Sequence, residues 1–111
     1  MIQRAAILLL ATILTGCARP SGHGIVDTDA SYKIPAIKSA VAAKDPSAIP
    51  QLVSDLDSTD PAVRFYAISG LQRLTGETFN YRYYDEEDAR RPAVERWKRW
   101  LADSTADRAT K

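Results

Sequence analysis

The chain is 111 residues long, 45% apolar and 26% charged, with a formal net charge of +1. That length accommodates one small domain with a core of marginal size, and the near balance of charge argues against general nucleic-acid binding, which draws on an excess of Lys and Arg to displace counterions from phosphate. A single Cys and a single His exclude a disulfide framework and the usual zinc site of four Cys and His ligands.

In chain order, Arg4 supplies a short basic start, and Ala5 to Leu14 is apolar apart from Thr12. At about 10 residues this stretch is half the roughly 20 needed to cross a bilayer core, and it has the length of a signal-peptide apolar region. Leu14-Thr15-Gly16-Cys17 follows and resembles the lipobox of bacterial lipoproteins at all four positions. The resemblance implies that residues 1–16 are a signal peptide, that the chain is cut before Cys17, and that fatty acids such as palmitate are attached to its thiol and to the new N-terminus. The alternative for Cys17 is a buried free thiol in an N-terminal helix. One acyl chain anchors marginally and two or more anchor stably, at about 0.8 kcal/mol per buried methylene. The implied partner is therefore a membrane of the bacterial cell envelope. Ala18 stands where an Asp would signal inner-membrane retention in many Gram-negative lipoproteins, which favours the outer membrane. Only Arg4 among the basic residues precedes the cut, so the remaining chain has equal numbers of basic and acidic side chains.

Residues 17–31 contain Pro20, Ser21, Gly22, Gly24, Asp27, Thr28 and Asp29 and read as a flexible tether. About 14 such residues span roughly 20 Å on average. His23 lies here between two glycines and reads as a solvated linker residue rather than a ligand or catalyst.

From Tyr32 the apolar positions recur at helical spacing, defining an all-α domain over residues 32–102. Ile34, Ile37 and Val41 share one face; Ile49, Leu52, Val53 and Leu56 share another. Ser31 and Ser47 are the expected N-caps, with Pro35 and Pro50 in first turns. Asp60-Pro61 is an N-cap followed by proline at the first helical position, and Gly76 is a C-terminal glycine. Between them Val63, Ala67, Gly70, Leu71 and Leu74 form a stripe whose small members permit close helix approach. Asp60-Pro61-Ala62-Val63-Arg64, with Ala67 and Leu71 beyond, resembles the second helix of a HEAT repeat, and Ala48 to Leu52 resembles the first. The resemblance covers about residues 45–76, with 32–44 as the second helix of a degenerate preceding unit. It implies a short HEAT-like α-solenoid of about four helices, with Arg64 paired to Asp57 or Asp60. One repeat cannot bury its own faces, so the expected closure is an aromatic C-terminal capping helix.

Eight of the nine aromatic residues fall between Phe65 and Trp100. Phe79, Tyr81, Tyr83 and Tyr84 lead into Asp85-Glu86-Glu87-Asp88 and then a helix to about Leu101, with Asp88 as its cap, Pro92 in its first turn, and Val94, Trp97 and Leu101 on one face. Acidic residues at its start and basic ones towards its end complement the helix dipole. The acidic run lacks the alternating ligands and turn glycine of a calcium loop. Phe65 points away from the main stripe, either under the cap or into solvent. Residues 103–111 carry no bulky apolar group and read as a disordered tail.

No nucleophile has a base beside it, since the one His is in the tether, and no phosphate-cradling glycine loop is present. The sequence thus points to a non-enzymatic, membrane-anchored module that binds another protein, without cofactor, metal, nucleic acid or small-molecule substrate. Candidate partner-binding residues are Tyr81, Tyr83, Tyr84, Arg90, Arg91 and Trp100, because tyrosines, tryptophans and arginines dominate interface hot spots. The alternatives are a passive structural lipoprotein of the envelope and an enzyme of the HEAT-like lyase kind.

Overall fold

The computed structural model describes residues 24–110. The lipobox, Cys17, Ala18, His23 and the first part of the expected tether lie outside the described residues, as does Lys111. All regular structure among the described residues is helical: α1 (Ala30–Ala42), a 3-10 turn (Pro46–Ala48) running into α2 (Ile49–Asp55), α3 (Pro61–Thr75) and α4 (Glu87–Ala109).

The helix starts depend on one repeated device. Asp29 caps α1 and Asp45 caps the 3-10 turn, each accepting from the backbone N–H and the hydroxyl of the serine two residues on, at 2.9 and 2.6 Å for Ser31 and at 3.0 and 2.6 Å for Ser47. The serines expected as caps are thus the donors, and an ionised acceptor does the capping. The two hydrogen bonds from Ser47 hold the Asp45 carboxyl below its ordinary range. Asp60 caps α3 in the same way through the Ala62 N–H at 2.8 Å, and Gly76 ends it in the left-handed region at φ 80°. Moving the α1 cap to Asp29 leaves Pro35 inside the helix rather than in its first turn. Pro92 likewise lies inside α4, which starts at Glu87 after Glu86 instead of being capped by Asp88. Ahead of α1, the Asp27 N–H closes a turn on the Gly24 carbonyl and Ile25 packs on the core, so this end of the expected tether lies against the domain.

α1 and α3 run side by side in the same direction, with Lys38 over the Tyr66 ring and Val41 against Gly70 one turn later. α2 runs opposite to α1, since Lys33 near the start of one reaches Asp55 at the end of the other. It packs on α3 and, through a smaller contact, on α4. Ile37, Leu52, Leu56, Leu71, Val94 and Trp97 are fully or almost fully buried where the four helices meet. Each buried aliphatic side chain of this kind contributes about 1.5–3 kcal/mol. α4 is helical through Ala109, beyond the expected boundary at residue 102. Ala102, Ala106 and Ala109 favour helix there, and neither Gly nor Pro interrupts it.

Two contacts inside this frame are unforgiving. A Cβ built on Gly70 would stand 2.7 Å from Val41 Cγ2 and 3.3 Å from Leu52 Cδ1, and a β-branched neighbour has few rotamers with which to yield. Gly70→Ala is therefore expected to lose about 1–3 kcal/mol through overpacking despite the better helix propensity of Ala. Adding Val41→Ala should restore part of the loss, and urea unfolding of both variants measures the coupling.

The second contact is ionic. Lys33 is 8% exposed and Asp55 3%, and Nζ donates to Oδ1 at 2.6 Å, with Gln51 Nε2 adding a bond to the same oxygen at 3.0 Å. Oδ2 is buried with no hydrogen-bond partner among the described residues. Lys33→Met leaves a buried carboxylate unpaired and should cost about 3–5 kcal/mol, whereas Lys33→Met with Asp55→Leu, which removes both charges, should lie much closer to the parent chain. Comparison of their thermal midpoints is the measurement.

Candidate functional site

Residues 76–86 connect α3 to α4 without regular structure, and backbone hydrogen bonds alone do not fix them. Side chains on the helices supply the missing donors. Trp97 Nε1 donates to the Thr78 carbonyl at 2.9 Å, and Arg96 donates to the Phe79 carbonyl through Nε at 3.1 Å and Nη2 at 2.9 Å. Arg64 Nε donates to the Tyr83 carbonyl at 2.9 Å while its Nη1 donates to the Ser58 carbonyl at 2.7 Å. Arg90 Nη1 donates to the Asp85 carbonyl. Phe79 and Asn80 adopt left-handed φ of 49° and 60°, uncommon for Phe, and the Phe79 ring meets Trp97 edge-on at 4.8 Å.

Arg64 therefore departs from the expected pairing with Asp57 or Asp60. Asp60 is engaged in capping α3, and Asp57 pairs with Lys98 at 3.1 Å. The nearly buried guanidinium is directed at two carbonyls that the turn and the loop leave without partners, where five fixed donors suit it better than an ammonium would.

The six expected partner-binding residues divide. Tyr81 is 6% exposed, and its hydroxyl donates to the Leu56 carbonyl at 2.8 Å, so it is a core residue and is not available on the surface. Trp100 is half-buried and packs edge-on against Trp97 at 5.5 Å. Arg90 is half-buried and committed to the loop, and Arg91 is exposed but pairs within its helix with Asp88 at 3.2 Å and Glu87 at 3.6 Å. Tyr83 is half-buried and Tyr84 is 67% exposed. These last two belong to one surface.

That surface includes residues that the sequence reading did not join to them. Tyr66, Phe65, Tyr83 and Tyr84 form a continuous edge-to-face series with centroid separations of 5.2, 5.1 and 5.2 Å. Phe65 is 42% exposed, which resolves its two expected placements in favour of solvent. The band opens at its Tyr66 end into a groove of about 590 Å3 between α1 and α3, with Ile37 and Val41 along α1 and Lys38 and Arg73 beside it. The signal for Phe65 and Tyr66 was their adjacency on a helix whose buried stripe passes through Val63, Ala67 and Leu71; two rings off that stripe need another contact or remain in water.

A second, polar cleft of about 370 Å3 lies between the 57–59 turn and α4. Its charges are committed to one another, Lys98 to Asp57 and Glu95, and Arg91 to Glu87. Among the described residues no three His, Cys, Asp or Glu side chains gather into a metal-binding group, and no helix is long and apolar enough to cross a membrane.

Burial pushes the Tyr81 hydroxyl up to about 12, with Arg90 and Arg64 pulling the other way. The folded state therefore binds this proton more tightly than the unfolded chain, whose phenol titrates near 10. The associated stability is intact below about pH 10 and is lost as pH rises towards about 12. Tyr81→Phe should lose about 1–3 kcal/mol at pH 7, because the Leu56 carbonyl is left unpaired, and should show a flatter loss of stability above pH 10. Urea midpoints across pH 7–11.5 test both. The chain matches no known protein-family model, and no curated protein and no solved structure resembles it significantly.

Proposed function

We propose that this chain is a lipid-anchored protein-binding module of the bacterial cell envelope, tethered through Cys17 and folded as a short HEAT-like stack. The observation that carries the binding role is the aromatic band of Phe65, Tyr66, Tyr83 and Tyr84, a contiguous run of rings in which Phe65 and Tyr84 are exposed and Tyr66 and Tyr83 half-buried. Contiguous exposed apolar surface of this kind marks interaction sites on soluble domains, and rigid aromatic rings lose little conformational freedom when covered. Two layers, α1 beside α3 and α2 beside α4, support the HEAT-like reading, as does the Asp60-Pro61 start of α3. The Leu14-Thr15-Gly16-Cys17 motif supports the anchor, and Ala18 favours the outer membrane. With Tyr81 and Trp100 assigned to packing, Tyr83 and Tyr84 are the expected aromatic contacts still open to a partner, and Phe65 and Tyr66 extend them into the band.

The test uses the full-length chain in cells of its source. Cys17→Ser should move the protein from the membrane fraction to an unlipidated soluble form or an uncleaved precursor; unchanged acylation would refute the anchor. A photo-crosslinking residue at position 84 should yield one specific adduct, lost at least tenfold in a Phe65→Ala variant that remains folded by circular dichroism. An absence of any adduct, or an adduct indifferent to Phe65→Ala, would favour a passive envelope protein instead.

A further inference from the structure

Resting on that reading, we infer that the groove between α1 and α3 receives an acidic segment of the partner protein, anchored by one apolar side chain between two carboxylates. Charge complementarity identifies the occupant. Lys38 and Arg73 are exposed beside the groove, and among the described residues neither has an ion pair and no Asp or Glu lines it. This sets them apart from most other cations of the domain. Lys33, Arg91 and Lys98 face carboxylates, and Arg64, Arg90, Arg96 and Arg108 are bonded to carbonyls. Arg73 also complements the C-terminal end of α3, but Lys38 is outside the last turn of α1 and lies over the Tyr66 ring at 5.9 Å.

The groove is apolar along its two helix flanks, with Ser69 and Gln72 adding polar groups on its α3 side. Ile37 and Val41 line its α1 side and Phe65 and Tyr66 its α3 side, while Gly70 brings the helices close. An aliphatic or aromatic side chain seated there would be desolvated on both flanks, the environment in which interface anchors contribute most. The cations would contribute orientation and encounter rate more than affinity. Lys38 lies over Tyr66, and Arg73 follows Tyr66 along α3 by about two helical turns, roughly 10 Å. That spacing fits carboxylates about three residues apart in an extended segment, at roughly 3.3 Å per residue, or two turns apart in a helix.

The experiment measures fluorescence anisotropy of labelled 14-residue peptides with the full-length chain in detergent micelles. One peptide carries a central Leu with Glu three residues apart around it, a second has Gln in place of each Glu, and a third has Lys. The Glu peptide should bind at least tenfold more tightly than the Gln peptide, and the Lys peptide more weakly still. Lys38→Glu with Arg73→Glu should reverse the order of the Glu and Lys peptides; the loss of the α3 dipole complement and of the Lys38–Tyr66 contact should lower the urea midpoint only modestly, leaving the variant folded under the binding conditions. Equal binding of the three peptides, or an order that survives the double reversal, would overturn the inference. So would sedimentation showing that a second copy of the chain covers the groove and is displaced by the reversal. If the position-84 adduct persists unchanged in the double-reversal variant, the groove assignment fails while the protein-binding reading stands. If the adduct is never formed, that reading itself fails.

Discussion

Backbone turn bonds within the 76–86 connection reach the Thr78 and Arg82 carbonyls but not those of Phe79, Tyr83 and Asp85, and the domain supplements them with donors mounted on helices. Trp97, Arg96, Arg64 and Arg90 each donate to a loop carbonyl, while Tyr81 returns one bond from the loop to the end of α2. A buried carbonyl without a partner costs about 1–3 kcal/mol, so these side chains are as much a part of the fold as the aliphatic core. They also explain why an irregular segment can hold two successive left-handed residues, Phe79 and Asn80, which would otherwise relax. The rings of this loop are therefore fixed in position before any ligand arrives.

The same arrangement separates the aromatics into two populations. Phe79, Tyr81, Trp97 and Trp100 close the end of the helical stack, with Trp97 fully buried at the centre. Phe65, Tyr66, Tyr83 and Tyr84 run outward from it as a chain of edge-to-face contacts. Aromatic rings pack in this geometry because the positive edge of one meets the negative face of the next. One population supplies the apolar area that a small domain lacks, and the other presents surface. Arg64, next to Phe65 on α3, holds the Tyr83 carbonyl and so fixes the Tyr83 ring's place in the outward band.

Much of the helical frame was legible in the sequence, because proline, glycine and the spacing of aliphatic residues act locally. The start of α3 at Asp60-Pro61 and its end at Gly76 need no tertiary information, and the faces containing Leu52, Val53, Val63 and Leu71 follow from periodicity. The caps at Asp29 and Asp45 were misassigned to the neighbouring serines because an Asp-x-Ser sequence offers two plausible acceptors, and an ionised carboxylate is the stronger one. The Lys33–Asp55 pair was missed although Lys33, Ile37 and Val41 share a helical face, since a lysine there suggests an edge rather than an interior. Loop residues were least legible. Whether Tyr81 or Tyr84 turns inward depends on which carbonyls the distant helices can reach, and no local pattern carries that information. The helix beyond residue 102 was misread for a simpler reason, that a lack of bulky groups does not prevent an alanine-rich stretch from continuing a helix already formed.

The position of Lys33 has a mechanical side. Tension applied to the residues ahead of α1 must first lift Ile25 from the core; it then reaches Asp29, a few residues from the buried ammonium, and shears α1 along α3. Sliding in that direction drags Val41 across the Gly70 notch and draws the Lys33 ammonium away from Asp55 at the same time. Both restraints would have to yield together, so the domain should resist pulling from its N-terminal side as a single brittle unit instead of peeling one helix turn after another.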